Sequence, residues 1–324
     1  IHYLQREKTN KSGERTMSAP DKFSGVLTPV ITPFTDDLAP DAERLIRQCK
    51  WMLSQNVGLA VFGTNSEANS LSTDEKIELM DRLIEGGIDP KRMMPGTGCC
   101  ALSDSVKLTA HAAKLGCGGT LMLPPFYYKG VSDDGLYASY SEIIQKVGDA
   151  NLRIYLYHIP PISNVPLSLG LIERLIKDYP DTVVGIKDSS GEWSNTKAML
   201  DAGWDDFRIF AGAESFLLDN MRNGGSGCIS ATANVNPAAI HNLYANWQSD
   251  EADELQAGLD VVRNIFQAYP MIPALKAAAA IYGDDPDWCR VRPPLMALDE
   301  AQMAGLTQDL KAIDFAMPGL KDAA

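Results

Sequence analysis

The sequence predicts an α/β protein, a (β/α)8 TIM barrel with an appended C-terminal helical subdomain. Three observations lead there. From Gly25 onward, short β-rich apolar runs alternate with longer segments of helical period about eight times. No Gly-x-Gly-x-x-Gly follows the first run, which separates the pattern from an open doubly wound sheet. Beyond Asn236 the chain is helical over more length than one closing helix needs, and 324 residues accommodate a barrel of ~250 together with that tail.

Residues 1–22 are polar, lack an apolar run of secretory-signal length, and are expected to form a flexible or loosely docked arm. The barrel is expected over 23–236, with strands at 26–31, 58–62, 92–96, 119–123, 153–157, 183–187, 207–211 and 227–230. Helix starts are signalled by Ser72 before Thr73-Asp74-Glu75, Ser103 before Asp104, Ser132 before Asp133-Asp134, and Glu214-Ser215 before Phe216. The closing helix and helical subdomain occupy 237–324, with helices at 241–247, 251–268, 272–282 and 299–313. No Gly- or Ser-rich linker frees this tail from the barrel.

Composition removes several functions. Forty-two acidic residues against 29 basic ones give a net charge of −13, and no stretch gathers Lys and Arg densely enough to follow nucleic acid. No run approaches the ~20 apolar residues of a membrane span. Cys49, Cys99, Cys100, Cys117, Cys228 and Cys289 are scattered, mostly in apolar segments, and read as reduced thiols of a cytoplasmic protein. His2, His111, His158 and His241 lack a His-Glu-x-x-His setting, so no metal site is expected.

In a barrel, reactive groups collect where strands end, so the polar residues that close each apolar run carry the information. Val183-Val184-Gly185-Ile186-Lys187-Asp188 ends on a lysine, and strict alternation puts Val183, Gly185 and Lys187 on one face and Val184 and Ile186 on the other. If that face is the lumen, Gly185 leaves space for the long side chain, and an amine deprived of water is the form that attacks a carbonyl. Position alone equally permits a strand-end lysine reaching solvent or pairing with Asp188. Tyr157 closes the preceding run and shares a face with Tyr155. It is either a proton carrier beside Lys187 or a core aromatic with a satisfied hydroxyl. His158, of opposite parity, reads as a packed histidine in the strand–helix layer. Gly63-Thr64-Asn65-Ser66-Glu67 offers hydroxyl, amide and backbone N–H groups suited to a carboxylate, but also ordinary turn chemistry.

Taken together, six segments resemble the dihydrodipicolinate synthase and N-acetylneuraminate lyase superfamily, pyruvate-handling class I aldolases and lyases on TIM barrels. They are the opening Gly25-Val26-Leu27-Thr28-Pro29 with Thr32-Pro33-Phe34, the Gly-Thr-x-x-Glu loop at 63–67, Pro125-Phe126-Tyr127-Tyr128, Tyr157-His158-Ile159-Pro160, Gly185-Ile186-Lys187-Asp188, and Gly227-Cys228-Ile229-Ser230. The resemblance implies that Lys187 forms a Schiff base with pyruvate or another 2-oxo acid, and that Tyr157 shuttles protons. Thr64 and Asn65 would hold the pyruvate carboxylate and relay protons, Gly212 and Ile229 would line the pocket, and Tyr128 would be lent to that relay by a neighbouring subunit of a homotetramer, a dimer of dimers. The adjacent Tyr127 leaves that register open. No metal or organic cofactor is implied.

The sequence departs from the pattern at Asn65, where a hydroxyl residue is usual, at Ser66 in place of glycine, and at His158, where asparagine is frequent. It also carries Ile162 where synthases have an arginine for the aldehyde's carboxylate. The favoured reading is therefore an aldolase or lyase of a 2-oxo acid or 2-keto-3-deoxy sugar acid. The runner-up is a 4-hydroxy-tetrahydrodipicolinate synthase condensing pyruvate with aspartate semialdehyde. A reading of another class is a non-catalytic sugar-acid binding or regulatory barrel.

Overall fold

The structure, a computed structural model, describes residues 22–323. Of the arm expected over 1–22, only Lys22 falls within them. Seven strands form one parallel sheet: β1 (Gly25–Thr28), β2 (Gly58–Leu59), β3 (Thr120–Met122), β4 (Ile154–His158), β5 (Val183–Asp188), β6 (Arg208–Ala211) and β7 (Gly227–Ile229). Their order is β2-β1-β7-β6-β5-β4-β3, so the first strand pairs with the last.

The remaining gap, between β2 and β3, is spanned by the segment at 93–97. Met94 N–H donates to Leu59 O at 2.7 Å and Gly96 N–H to Val61 O at 2.8 Å. On the other side Leu121 N–H donates to Pro95 O at 2.9 Å. The run expected as a third strand at 92–96 is thus reduced to isolated bridges, Leu59 with Met93 and Gly96 with Leu121. The cause is local: Pro90–Arg92 form a 3-10 turn, and Pro95 has no N–H for a ladder. β1 also stops earlier than expected, at the residue before Pro29. Eight extended segments nevertheless close the ring.

Side chains from around this ring fill its lumen. Leu27, Ala60, Met94, Leu121, Phe210 and Ile229 form one buried cluster with Tyr155 and Tyr157. The outward residues Ile154, Leu156, Ile186 and Ile209 instead pack on surrounding helices. Those helices are α1 (Ala42–Ser54), α2 (Thr73–Glu85), α3 (Leu102–Lys114), α4 (Asp133–Val147), the short α5 (Pro160–Ser163), α6 (Leu169–Asp178), α7 (Trp193–Asp201) and α8 (Leu217–Arg222).

The face assignment expected for the Lys187 strand needs one correction. Ile154 pairs with Val183, but Tyr155 pairs with Gly185, so Val184 is an extra residue on β5. Val183 joins the outer cluster and Val184 the lumen, the reverse of strict alternation. The space beside Gly185 also has another owner. A Cβ there would lie 2.5 Å from Tyr155 Cδ1, and one on Gly119 would lie 2.6 Å from Tyr155 Cε2. The two glycines admit the Tyr155 ring, whose hydroxyl accepts from Phe23 N–H at 2.7 Å.

Ser72 and Ser132 cap α2 and α4 as expected, Ser72 in a capping box with Glu75. Ser103 does not cap α3, which follows Ala101 with no side-chain cap. Glu214-Ser215 opens a 3-10 turn rather than capping α8, because the Glu214 carboxylate is drawn inward by Ser230 and Thr232. Cys49, Cys117 and Cys228 are buried, while Cys100 is exposed.

The tail forms α9 (Pro237–Ala245), α10 (Ala252–Gln267), α11 (Met271–Gly283) and α12 (Glu300–Ala312). Among the described residues no helix is long and apolar enough to cross a membrane. Two of the contacts that dock the tail on the barrel lie beside the 63–67 loop. Lys276 of α11 forms a fully buried ion pair with Glu67, and burial lowers its ammonium to about 8. Arg292 reaches Glu75 at 2.5 and 2.9 Å and the carbonyls of Leu38 and Ser70 at 2.7 Å.

The Arg292 hydrogen bonds hold the Glu75 carboxyl down from an ordinary 4.5 to about 2. A carboxyl depressed on folding contributes stability above its unfolded pKa and loses it as pH falls through the folded one. The stability gap between wild type and Glu75→Gln is therefore expected to be full above pH 4.5 and to close as pH falls to about 2. Urea unfolding at stepped pH measures it, and a pH-independent gap would mean that the charge contributes nothing.

Candidate active site

The C-terminal ends of β4 and β5 bring together the two residues that sequence reasoning placed at the centre. Tyr157 and Lys187 are cross-strand partners, both are buried and both face the lumen. Lys187 Nζ donates to Tyr157 Oη at 3.2 Å. Tyr157 Oη in turn shares a hydrogen bond of 3.1 Å with Thr64 Oγ1. Amine, phenol and hydroxyl form a chain through which a proton can move without bulk water.

Lys187 neither reaches solvent nor pairs with Asp188. Asp188 turns away from Lys187, accepting from Ser190 N–H at 3.0 Å, Ser190 Oγ at 3.1 Å and Thr196 Oγ1 at 2.6 Å. His158 packs in the strand–helix layer as expected. Its Nδ1 accepts from Leu167 N–H at 3.0 Å, which leaves the ring proton on Nε2, 4.0 Å from Asp188. Burial holds this imidazole below the ordinary histidine range, against the opposing pull of Asp188.

Thr64 is positioned by a loop with its own scaffold. Ser66 Oγ accepts from Gly63 N–H at 3.2 Å, and Thr32 Oγ1 donates to Ser66 O at 2.7 Å. Glu67 ends the turn in a left-handed conformation, with φ at 55°, that few acidic residues adopt. It is held there by Lys276 and by Arg292 N–H, which donates at 3.1 Å. Sequence inspection of the Gly-Thr-x-x-Glu loop gave no sign that its glutamate is buried against a lysine more than two hundred residues on.

A cavity of about 250 Å³ opens over this chain, lined among others by Thr64, Asn65, Tyr157, Lys187, Gly212 and Arg263. Ile229 belongs to the lumen cluster and is not among the lining residues. Tyr128 does not reach the cavity within this chain. It is 72% exposed and packs edge-on against Tyr127, itself 75% exposed. The neighbouring Lys129 Nζ donates to Ser163 O at 2.6 Å, tying the tyrosines to α5, which carries Ile162 on the cavity wall. Among the described residues, no three His, Cys, Asp or Glu side chains cluster as metal ligands.

Arg263 was not anticipated, because it comes from α10 in the tail. Gln256, Asp260 and Arg263 recur at helical spacing beside the buried stripe of Leu259, Val262 and Phe266. That polar stripe was the available signal, but periodicity does not say which part of the barrel it meets.

Comparison with known proteins decides the family. The Dihydrodipicolinate synthetase family profile matches residues 22–313. The chain belongs to that family. As a dihydrodipicolinate synthetase family member it is a pyruvate-dependent lyase. It is 31% identical to an uncharacterized DapA-like lyase of Chloroflexus aurantiacus, over 87% of this chain and 94% of that protein. It is likewise 31% identical to the 4-hydroxy-tetrahydrodipicolinate synthase of Methanococcoides burtonii, over 90% and 98%. Its structure is similar to that of dihydrodipicolinate synthase from Agrobacterium tumefaciens, with a TM-score of 0.82 at 31% identity, covering 89% and 98% of the chains. The seven-stranded parallel sheet and the TIM-barrel reading agree with this family.

Gly212 provides a test of how tightly the wall is built. Its N–H donates to Asp188 O at 2.7 Å, and an added Cβ would lie 2.6 Å from that same carbonyl oxygen and 2.7 Å from Ser189 Cα. Since these are backbone atoms, Gly212→Ala is expected to cost about 1–3 kcal/mol by overpacking. Chemical denaturation would detect it, and unchanged stability would show that the wall has slack.

Proposed function

We propose that this protein is a Schiff-base class I aldolase or lyase that makes or cleaves a carbon–carbon bond between pyruvate and an aldehyde. The observation that carries the reading is the buried Lys187–Tyr157–Thr64 hydrogen-bonded chain at the mouth of a closed barrel. Lys187 attacks the 2-oxo carbon through the Nζ lone pair, the C–N bond forms, and the carbonyl oxygen leaves as water after taking protons through Tyr157. The iminium then accepts the electron pair of a C3–H bond as its proton passes to the Tyr157–Thr64 relay. The resulting enamine attacks the aldehyde carbon, whose oxygen takes that proton back from the relay. Hydrolysis returns the amine, and cleavage is the same sequence reversed. The iminium is itself the electron sink, so the route calls for neither metal nor organic cofactor.

Thr64 and Asn65 are assigned to the pyruvate carboxylate and the proton relay, Gly212 to the pocket wall, and Ile229 to the apolar floor. Tyr128 is assigned to the cavity of a neighbouring subunit in a homotetramer. Its exposed ring, tied to the cavity margin through Lys129, supports that role. Six free cysteines suit a cytoplasmic location, where thiols stay reduced. Ile162, 64% exposed on the cavity wall, offers no carboxylate clamp there, which favours a 2-oxo acid or 2-keto-3-deoxy sugar acid over the aspartate semialdehyde of a lysine-pathway synthase.

Incubation with pyruvate and borohydride, followed by peptide mass spectrometry, is expected to find one reduced adduct, on Lys187. An unmodified Lys187 would leave the binding or regulatory barrel as the better reading. Lys187→Ala is expected to abolish turnover with the fold retained by circular dichroism. Tyr157→Phe keeps the ring and removes the proton carrier, so its single-turnover rate of imine formation is expected to fall by about 10²–10⁴. A rate near that of wild type would remove Tyr157 from the relay. Dilution to verified monomers is expected to remove activity, and a fully active monomer would remove Tyr128 from the site.

A further inference from the structure

The end of the barrel opposite Lys187 holds a second cavity, of about 160 Å³, at the N-terminal ends of β1 and β2. The chemistry of a barrel gathers at the other rim, so this cavity stands apart from it. Its polar walls come from three elements. Helix α9 supplies His241 and Tyr244, three residues apart and therefore on one face. The Tyr244 ring covers the start of β1, where a Cβ on Gly25 would lie 3.4 Å from Tyr244 Cε1. Asn56 follows α1 in a left-handed conformation, with φ at 62°, and Arg92 ends the 3-10 turn before Met93.

Two of these groups are not used by the fold. His241 Nδ1 is buried with no hydrogen-bond partner, although buried polar atoms are paired as a rule. Among the described residues Arg92 pairs with no carboxylate, and its Nη2 donates only to the Val57 carbonyl, at 3.2 Å. In a chain of net charge −13 that is a departure, since Arg44, Arg174, Arg222 and Arg292 each hold a carboxylate. Among the described residues that line the cavity, Arg92 is the one charged side chain, and no Asp or Glu faces it.

Burial and the Arg92 charge both hold the His241 imidazole below the ordinary histidine range. An anion set between guanidinium and imidazole accepts from both and opposes the Arg92 charge, so His241 takes up a proton as it binds. Carboxylate and phosphate oxygens both match a guanidinium fork. The volume is below the ~300–1,000 Å³ of sites for drug-sized ligands, which restricts the ligand to a few heavy atoms. We infer that this cavity is a second, non-catalytic binding site for a small oxyanion, a carboxylate or a phosphate, held by Arg92 and His241. The inference does not rest on the Schiff-base reading, because none of its residues lines the Lys187 cavity.

Calorimetric titration of the full chain with inorganic phosphate and, separately, with acetate tests it, with ionic strength held constant by chloride. At least one of the two is expected to saturate a single site with a Kd of about 1 mM or below. Saturation by phosphate alone or by acetate alone identifies which oxyanion the site takes. Arg92→Met is expected to weaken that binding at least about tenfold, the scale of hydrogen bonds to a charged group. In an NMR titration of the imidazoles, the signal that His241→Gln removes is expected to titrate at higher pH in the saturated protein than in chloride alone. Absence of saturable binding by wild type would overturn the inference without any variant needing to fold. An Arg92→Met affinity equal to that of wild type, or a His241 titration indifferent to the anion, would also overturn it, since either result puts the ion at another place on the protein.

Discussion

The active site depends on one irregularity in the pairing of β4 with β5. Counting strictly from Val183, which packs outward, Lys187 would also point outward into the helical layer. The extra residue at Val184 resets the parity, so that Gly185 lies beside Tyr155 and Lys187 beside Tyr157 on the lumen side of adjacent strands. A bulge of this kind re-aims a side chain. The residues next to it are small or apolar for the same reason. Gly185 and Gly119 admit the Tyr155 ring, which fills the lumen beneath the reactive pair. Phe210, partner of Lys187 on the other side, presents an apolar flank with no charge to compete for the amine.

Most of the barrel was legible because its signals are local. Apolar runs, capping serines and the break at Pro29 act within a few residues of themselves, and seven of the eight expected strands formed. The segment at 92–96 failed as a strand for an equally local reason, since Pro95 cannot donate to a ladder. Lys187 and Tyr157 were legible from strand-end position and family resemblance. The bulge breaks the alternation expected from Val183 to Lys187, and Lys187 still points inward because only the start of the strand is out of phase with it.

What was not legible is contact between distant parts of the chain. Nothing near Glu67 shows that Lys276 will neutralise it, nor does the sequence of α10 reveal that Arg263 looks into a cavity built from strand ends. Glu214 is instructive in the same way. Placed before a helix, it carried the sequence signature of a cap. In the fold its carboxylate serves Ser230 and Thr232 instead, because burial makes two hydroxyl donors worth more than a solvated helix terminus. Long-range satisfaction of buried charge overrides local propensity, and the sequence carries no local record of it.

The Glu67–Lys276 pair also links the 63–67 loop to the timetable of synthesis. The two residues are separated by 209 positions, or roughly 10–40 s of translation at ~5–20 residues per second. Throughout that interval the nascent chain holds the loop glutamate without its buried counter-ion, and its left-handed turn lacks the anchor that fixes it. The enzyme therefore acquires a competent loop only after α11 has left the ribosome, and an incomplete chain carrying Lys187 and Tyr157 does not yet carry a finished site.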